Sequence, residues 1–183
     1  QYNNEKNPTD NFQWEFVLVD DDQTKNAWCM PGGKIAFYSG ILPIAKNNDG
    51  IASIMGHEIA HAVARHSAER ASTAILADVG TMALEQLVLG QRLPKAAGYI
   101  RQFGLDLPFN RKQESEADYL GLIFSSLSGY NINESYKVWE RMIEDSGGAG
   151  PSEFFSTHPS PKNRINKLKE WIPIVSSQYP AIG

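Results

Sequence analysis

The sequence predicts an α+β fold that is mainly helical, with a small β-sheet or hairpin confined to its first forty residues. Three observations carry this. Short runs rich in aromatic and β-branched residues stop near Ser39, and beyond it apolar residues recur at helical spacing between capping and breaking residues. The pattern His57-Glu58-Ile59-Ala60-His61 also makes chemical sense only on a helix, where residues four apart lie on one face, roughly 6 Å apart along the axis.

Trp14 to Val19 reads as a strand that ends in the exposed turn Asp20-Asp21-Asp22, and Ala27 to Met30 reads as a second strand. Pro31-Gly32-Gly33 breaks it. Lys34 to Ser39 then resumes with alternating Ile35 and Phe37, which predicts a hairpin or a sharply bent strand. Asn47-Asn48-Asp49 supplies caps for a helix that begins near Gly50 or Ile51, and Ile51, Ile54, Met55, Ile59, Ala62 and Val63 give it an apolar stripe.

A helix is expected over Ser72 to Leu89, ended by Gly90, followed by an irregular stretch from Gln91 to Asn110. The apolar run Thr73 to Leu89 is interrupted by Asp78, Glu85 and Gln86, so it reads as a core or interfacial helix and not as a membrane span. Lys112 to Leu127 is helical again and closes at Gly129; Asn133 is expected to cap a helix running to about Asp145. Residues 146–151 form a Gly-rich flexible linker. Ser160-Pro161 fits the start of a final helix that reaches Trp171 and stops at Pro173.

Length and composition set the frame: 183 residues with 42% hydrophobic and 21% charged side chains fit one globular domain, residues 1–183, and exclude a disordered or fibrous chain. A net charge of −4 with no cluster of Lys or Arg argues against nucleic acid or an anionic membrane as the main partner. The polar opening from Gln1 to Asp10 lacks the features of a signal peptide and reads as a mature or trimmed start. Cys29, the single cysteine, rules out an intrachain disulfide and a cysteine-built zinc site. It reads as a small core residue, with exposure the condition for any redox role.

Two histidines four apart can hold one ion together, and the intervening glutamate is then placed to take a proton from water, as in the H-E-x-x-H pattern of zinc hydrolases. The bland alternative is an amphipathic helix with partly buried histidines. A catalytic zinc takes three protein ligands, and the candidate third is Glu114. Asp118 lies four residues on, able to accept a hydrogen bond from the rear nitrogen of His57 or His61; a solvated acidic face paired with Arg111 and Lys112 is the competing reading. His66, five residues beyond His61, should be rotated off the ligand face and structural. The strand Lys34 to Ser39 is a candidate to pair with an extended substrate, or an ordinary buried hairpin strand. Arg164 is open to positioning the nearby loop through a carboxylate or to lying on the surface.

His57-Glu58-x-x-His61, Glu114-x-x-Ala117-Asp118 and Thr157-His158-Pro159 together resemble the CAAX-prenyl-endopeptidase-like gluzincin family of zinc metallopeptidases. Trp28 to Ile35, Ser39 to Pro43, Arg65 to Glu69, Arg111 to Glu114 and Lys137 to Met142 are similar to its mitochondrial inner-membrane, stress-responsive members, over about Ala27 to Trp171. The resemblance implies a zincin-like metallopeptidase domain with one zinc per chain, endopeptidase action on polypeptides, membrane proteins among them, in inner-membrane quality control, and placement facing the intermembrane space. It also leaves room for a homo-oligomer. For His158 it implies a closed, zinc-occluding role, beside which oxyanion stabilisation and a plain loop-holding hydrogen bond stay open. Competing readings are a bacterial periplasmic quality-control peptidase of the same family and a zinc-bearing, non-catalytic chaperone-like module.

Overall fold

A computed structural model describes residues 9–70, 72–73, 109–147, 153–159 and 163–182. The expected helix over Ser72 to Leu89, the irregular stretch after it, most of the 146–151 linker and the Ser160-Pro161 start lie outside the described residues, apart from their edges.

Strands β1 (Glu15–Val19), β2 (Ala27–Met30) and β3 (Lys34–Tyr38) form one sheet in the order β1-β3-β2. β2 and β3 make an antiparallel hairpin with Cys29 opposite Ile35, and both turn glycines sit at φ 91°, backbone that other residues adopt only under strain. β1 joins the other edge of β3 in parallel, Val17 opposite Ala36. β3 therefore spends both edges inside the sheet and has none left for a substrate strand, which corrects the candidate read from its sequence. Among the described residues β2 has no partner on its outer edge, on the hairpin side of the sheet.

A 3-10 turn (Ser39–Ile41) leads into the short α1 (Leu42–Ala45) and then α2 (Asn48–Val63). The Asn47 side chain caps α2 by accepting from the Gly50 amide at 2.8 Å. α3 (Arg111–Leu127) opens with a full capping box: Asn110 accepts from Gln113 N at 2.9 Å while Gln113 Oε1 accepts from Asn110 N at 3.2 Å. α4 (Glu134–Asp145), α5 (Glu153–Thr157) and α6 (Arg164–Gln178) follow, and residues 66–70 and 72–73 are helical between α2 and α3.

α2 and α3 cross where Gly56 meets Gly121. A Cβ on Gly56 would lie 2.9 Å from the Gly121 carbonyl oxygen, and one on Gly121 would lie 2.9 Å from the His57 amide nitrogen, so only two glycines allow the backbones this close. That crossing sets the motif helix against the helix that carries Glu114. Around it, Ile35 and Phe37 from the sheet, Ile54, Leu122, Val138, Trp139, Met142, Leu168 and Val175 form one buried apolar cluster.

Two boundaries differ from expectation. Asn133 makes no capping hydrogen bond; the Asn131 side chain takes that part, accepting from Asn133 N at 3.1 Å. α6 runs through Pro173, because that residue is exposed while Leu168, Ile172 and Val175 stay buried on either side. The carbonyl freed by the missing amide faces solvent, and the packed stripe continues.

Candidate metal centre

α2 contributes His57, Glu58 and His61, α3 contributes Glu114 and Asp118, and His158 follows directly after α5. His57, His61, Glu114 and His158 each offer one ligand atom, all within 4.8 Å of one another. The four and Glu58 are at most 4% exposed.

The spacing of these atoms tests whether zinc fits. Bonds of about 2.0–2.1 Å in a tetrahedron place ligand atoms about 3.3–3.4 Å apart. His57 Nε2 lies 3.1 Å from His61 Nε2, 3.3 Å from His158 Nδ1 and 3.6 Å from Glu114 Oε2. Glu114 Oε1 lies 3.2 Å from His61 Nε2 and 3.0 Å from His158 Nδ1. Imidazole nitrogens and a carboxylate converging this tightly in a buried place must share protons or a cation, and their spacing and chemistry fit a metal ion.

His57 Nδ1 stands 3.0 Å from Asp118 Oδ1 at an ion-pair distance without hydrogen-bond geometry, and 3.3 Å from Arg164 Nη2, which is placed to donate to it. Of the two histidines left open by the sequence, His57 is the one that Asp118 meets. Arg164, 1% exposed, is no surface residue: its Nη2 donates to Asp118 Oδ1 at 2.6 Å, and its guanidinium lies 3.5 Å above the Trp139 ring. The same nitrogen is 3.0 Å from Glu114 Oε2 at an ion-pair distance, yet without hydrogen-bond geometry, so that oxygen accepts no hydrogen bond.

His61 is backed differently. Its Nδ1 lies 2.9 Å from Nδ1 of His66, and its ring stacks on Phe109 at 3.7 Å between centroids. The guanidinium of Arg70 lies 3.5 Å from the same Phe109 centroid, and two neighbours so close must take opposite faces of the ring. His66 was expected off the ligand face. That expectation assumed an unbroken helix, whereas α2 ends at Val63 and Arg65 takes φ 58°, which turns the chain back.

Burial drives the Glu58 carboxyl above its usual range, with His158 and His57 opposing it. Its Oε1 is buried without a hydrogen-bond partner, 3.4 Å from His158 Nε2. Burial also works to raise Glu114, but the hydrogen bond and charge of His158, with His61 and His57, outweigh it and hold the carboxyl well below its usual value. His61 is pushed well down by burial. Burial would lower His158 too, yet Glu58 and Glu114 together raise it. Burial and the nearby Glu58 charge push the Cys29 thiol up to about 12, which leaves it a core residue of β2 without thiolate reactivity.

Residues 3–172 match the model of Peptidase family M48. Over 163 residues the chain is 44% identical to the mitochondrial metalloendopeptidase OMA1 of Schizosaccharomyces pombe, covering 88% of this chain and 47% of that protein. It is 31% identical over 171 residues to the mitochondrial metalloendopeptidase OMA1 of Homo sapiens, covering 87% of this chain and 32% of that protein. It is 29% identical over 180 residues to the β-barrel assembly-enhancing protease of Escherichia coli, covering 88% of this chain and 36% of that protein. The chain thus spans half or less of the length of these relatives.

Proposed function

The chain belongs to peptidase family M48, and from that premise we propose that it is a zinc-dependent endopeptidase in which His57, His61 and Glu114 hold the metal and Glu58 is the general base. The observation that carries this reading is the convergence of the two Nε2 atoms and the Glu114 carboxylate at zinc-ligand spacing beside the unpartnered Glu58 Oε1. A bound zinc supplies Lewis acidity toward the scissile carbonyl and a lowered pKa for the attacking water.

The chain's residues do the rest. Glu58 accepts the water proton at Oε1 and returns it to the leaving amine, and its buried setting raises its affinity for that proton. Asp118 and Arg164 back the rear nitrogen of His57 and fix its ring. An extended polypeptide finds a free sheet edge at β2, which packs against α2 and carries Cys29 near Glu58.

His158 Nδ1 stands among the ligand atoms, where a catalytic site keeps a position for water. This arrangement is a closed one, and hydrolysis requires His158 to withdraw. The similarity to proteins named as mitochondrial metalloendopeptidases supports a mitochondrial setting with polypeptide substrates; inner-membrane proteins as substrates and action on the intermembrane-space side are part of the proposal. Among the described residues no helix is long and apolar enough to cross a membrane.

Incubation with an unfolded protein substrate tests this. Cleavage should vanish with chelator and return with zinc; Glu58→Gln should keep about one zinc per chain and lose at least ~100-fold in turnover. Chelator-resistant cleavage, or a Glu58→Gln variant above about 1% of normal turnover, would sink the mechanism. His158→Ala should raise turnover several-fold, and an unchanged or lower rate would overturn the closed reading.

A further inference from the structure

We propose that His66 is a positioning residue that makes His61 a metal ligand, by accepting the His61 Nδ1 proton on its own Nδ1. The inference rests on the metal-site reading above and adds to it the direction of one hydrogen bond.

The two Nδ1 atoms are 2.9 Å apart with the rings at 71°, so one of them carries the proton and the other the lone pair. If His66 donated, the proton of neutral His61 would sit on Nε2, pointing at His57 Nε2 and Glu114 Oε1 at 3.1 and 3.2 Å, and His61 could not bind a metal. If His61 donates, its Nε2 lone pair faces the centre. His66 then carries its proton on Nε2, where Glu116 Oε2 lies 3.5 Å away. Both rings are at most 2% exposed, and Phe109 stacks on His61, so neither ring is free to exchange this partner for bulk water.

The backbone is shaped for this contact. In a continued helix His66 would sit about 140° around the axis from His61. The left-handed Arg65 at φ 58° ends that course, and the chain re-enters helix at His66 itself. A non-glycine residue is disfavoured in that backbone region, consistent with a turn retained for where it sends the next side chain.

Three variants separate the hydrogen bond from packing. His66→Asn keeps an acceptor oxygen near the place of Nδ1, His66→Gln moves the amide toward the place of Nε2, and His66→Leu fills the space with no acceptor. Zinc affinity measured by competition with a chromophoric chelator should fall roughly 10- to 100-fold in the Gln and Leu variants and stay within about threefold of wild type in the Asn variant. Thermal melts of the zinc-free proteins report folding. Should His66→Leu fail to fold, the Asn and Gln pair decides alone, since the two share their chemistry and differ by one methylene. An Asn variant as weak as Gln, or a Gln variant as tight as wild type, overturns the proposal. A wild-type chain that binds no zinc overturns the metal-site reading and this inference with it.

Discussion

His57 and His61 stand one turn apart on α2, and their rear nitrogens meet opposite kinds of partner. Behind His57 is a buried ion network: Asp118 at 3.0 Å, then Arg164 at 2.6 Å from Asp118 and 3.0 Å from Glu114, under the Trp139 ring. Behind His61 is an aromatic wall, with His66 at 2.9 Å and Phe109 stacked at 3.7 Å. One side is held by charge supplied from α3 and α6; the other is held by rings, His66 at the start of the helical segment after the turn and Phe109 two residues before α3. The difference follows from electrostatics. Glu58, Glu114 and Asp118 already bring three carboxylates into the pocket against two buried arginines, Arg164 and Arg70, and a fourth carboxylate behind His61 would add a further uncompensated charge. A neutral imidazole fixes the tautomer without adding one.

The largest expected effect therefore lies on the His57 side. Arg164→Met removes the cation and leaves Glu114 and Asp118 buried without it, which should cost about 3–5 kcal/mol in the zinc-free protein, read by urea unfolding at neutral pH with chelator. Asp118→Asn in the same chain should recover much of that loss. The sign of the pH dependence follows from linkage. In the wild type Glu114 is held well below its ordinary value, so its stabilising contribution is present above about pH 4.5 and fades as the pH falls further. In the variant the histidines that hold Glu114 down are still in place, so its stability also falls on acidification, from a lower starting level. The two curves should approach each other only as Glu114 itself protonates, well below its ordinary range. A neutral-pH loss under about 1 kcal/mol would break the charge account of this side.

What was legible in the sequence is what depends on local spacing. His57 with His61, and Glu114 with Asp118, are each four apart on a helix, and the helices announce themselves by apolar stripes and by the Asn47 cap. What was not legible depends on contacts across the chain. No local signal says that β1 pairs in parallel with β3, or that Arg164 is buried under Trp139. α6 passes Pro173 because its neighbours bury Leu168, Ile172 and Val175, a tertiary effect that outweighs the local one. His66 is not among the converging ligand atoms, but its contact with the rear of His61 was not legible, because it depends on a turn marked by a non-glycine residue in left-handed backbone, which composition does not reveal.

The smallest expected effect sharpens the contrast from the other side. Glu116 lies 3.5 Å from His66 Nε2, at the limit of a hydrogen bond, and its side chain is 51% exposed. Burial lowers the His66 pKa more than Glu116 raises it, so the ring stays neutral and the pair is a weak dipole–charge contact in water, not a buried ion pair. Glu116→Gln keeps an acceptor oxygen and removes the charge. Zinc affinity and urea stability at neutral pH should both stay close to wild type, within about threefold and about 0.5 kcal/mol. A tenfold loss of zinc affinity would mean that a carboxylate acts on His61 through His66, as Asp118 acts on His57 directly. The two histidines would then share one electrostatic design, lengthened on the His61 side by one imidazole, and the contrast between a charged and a neutral backing would be gone.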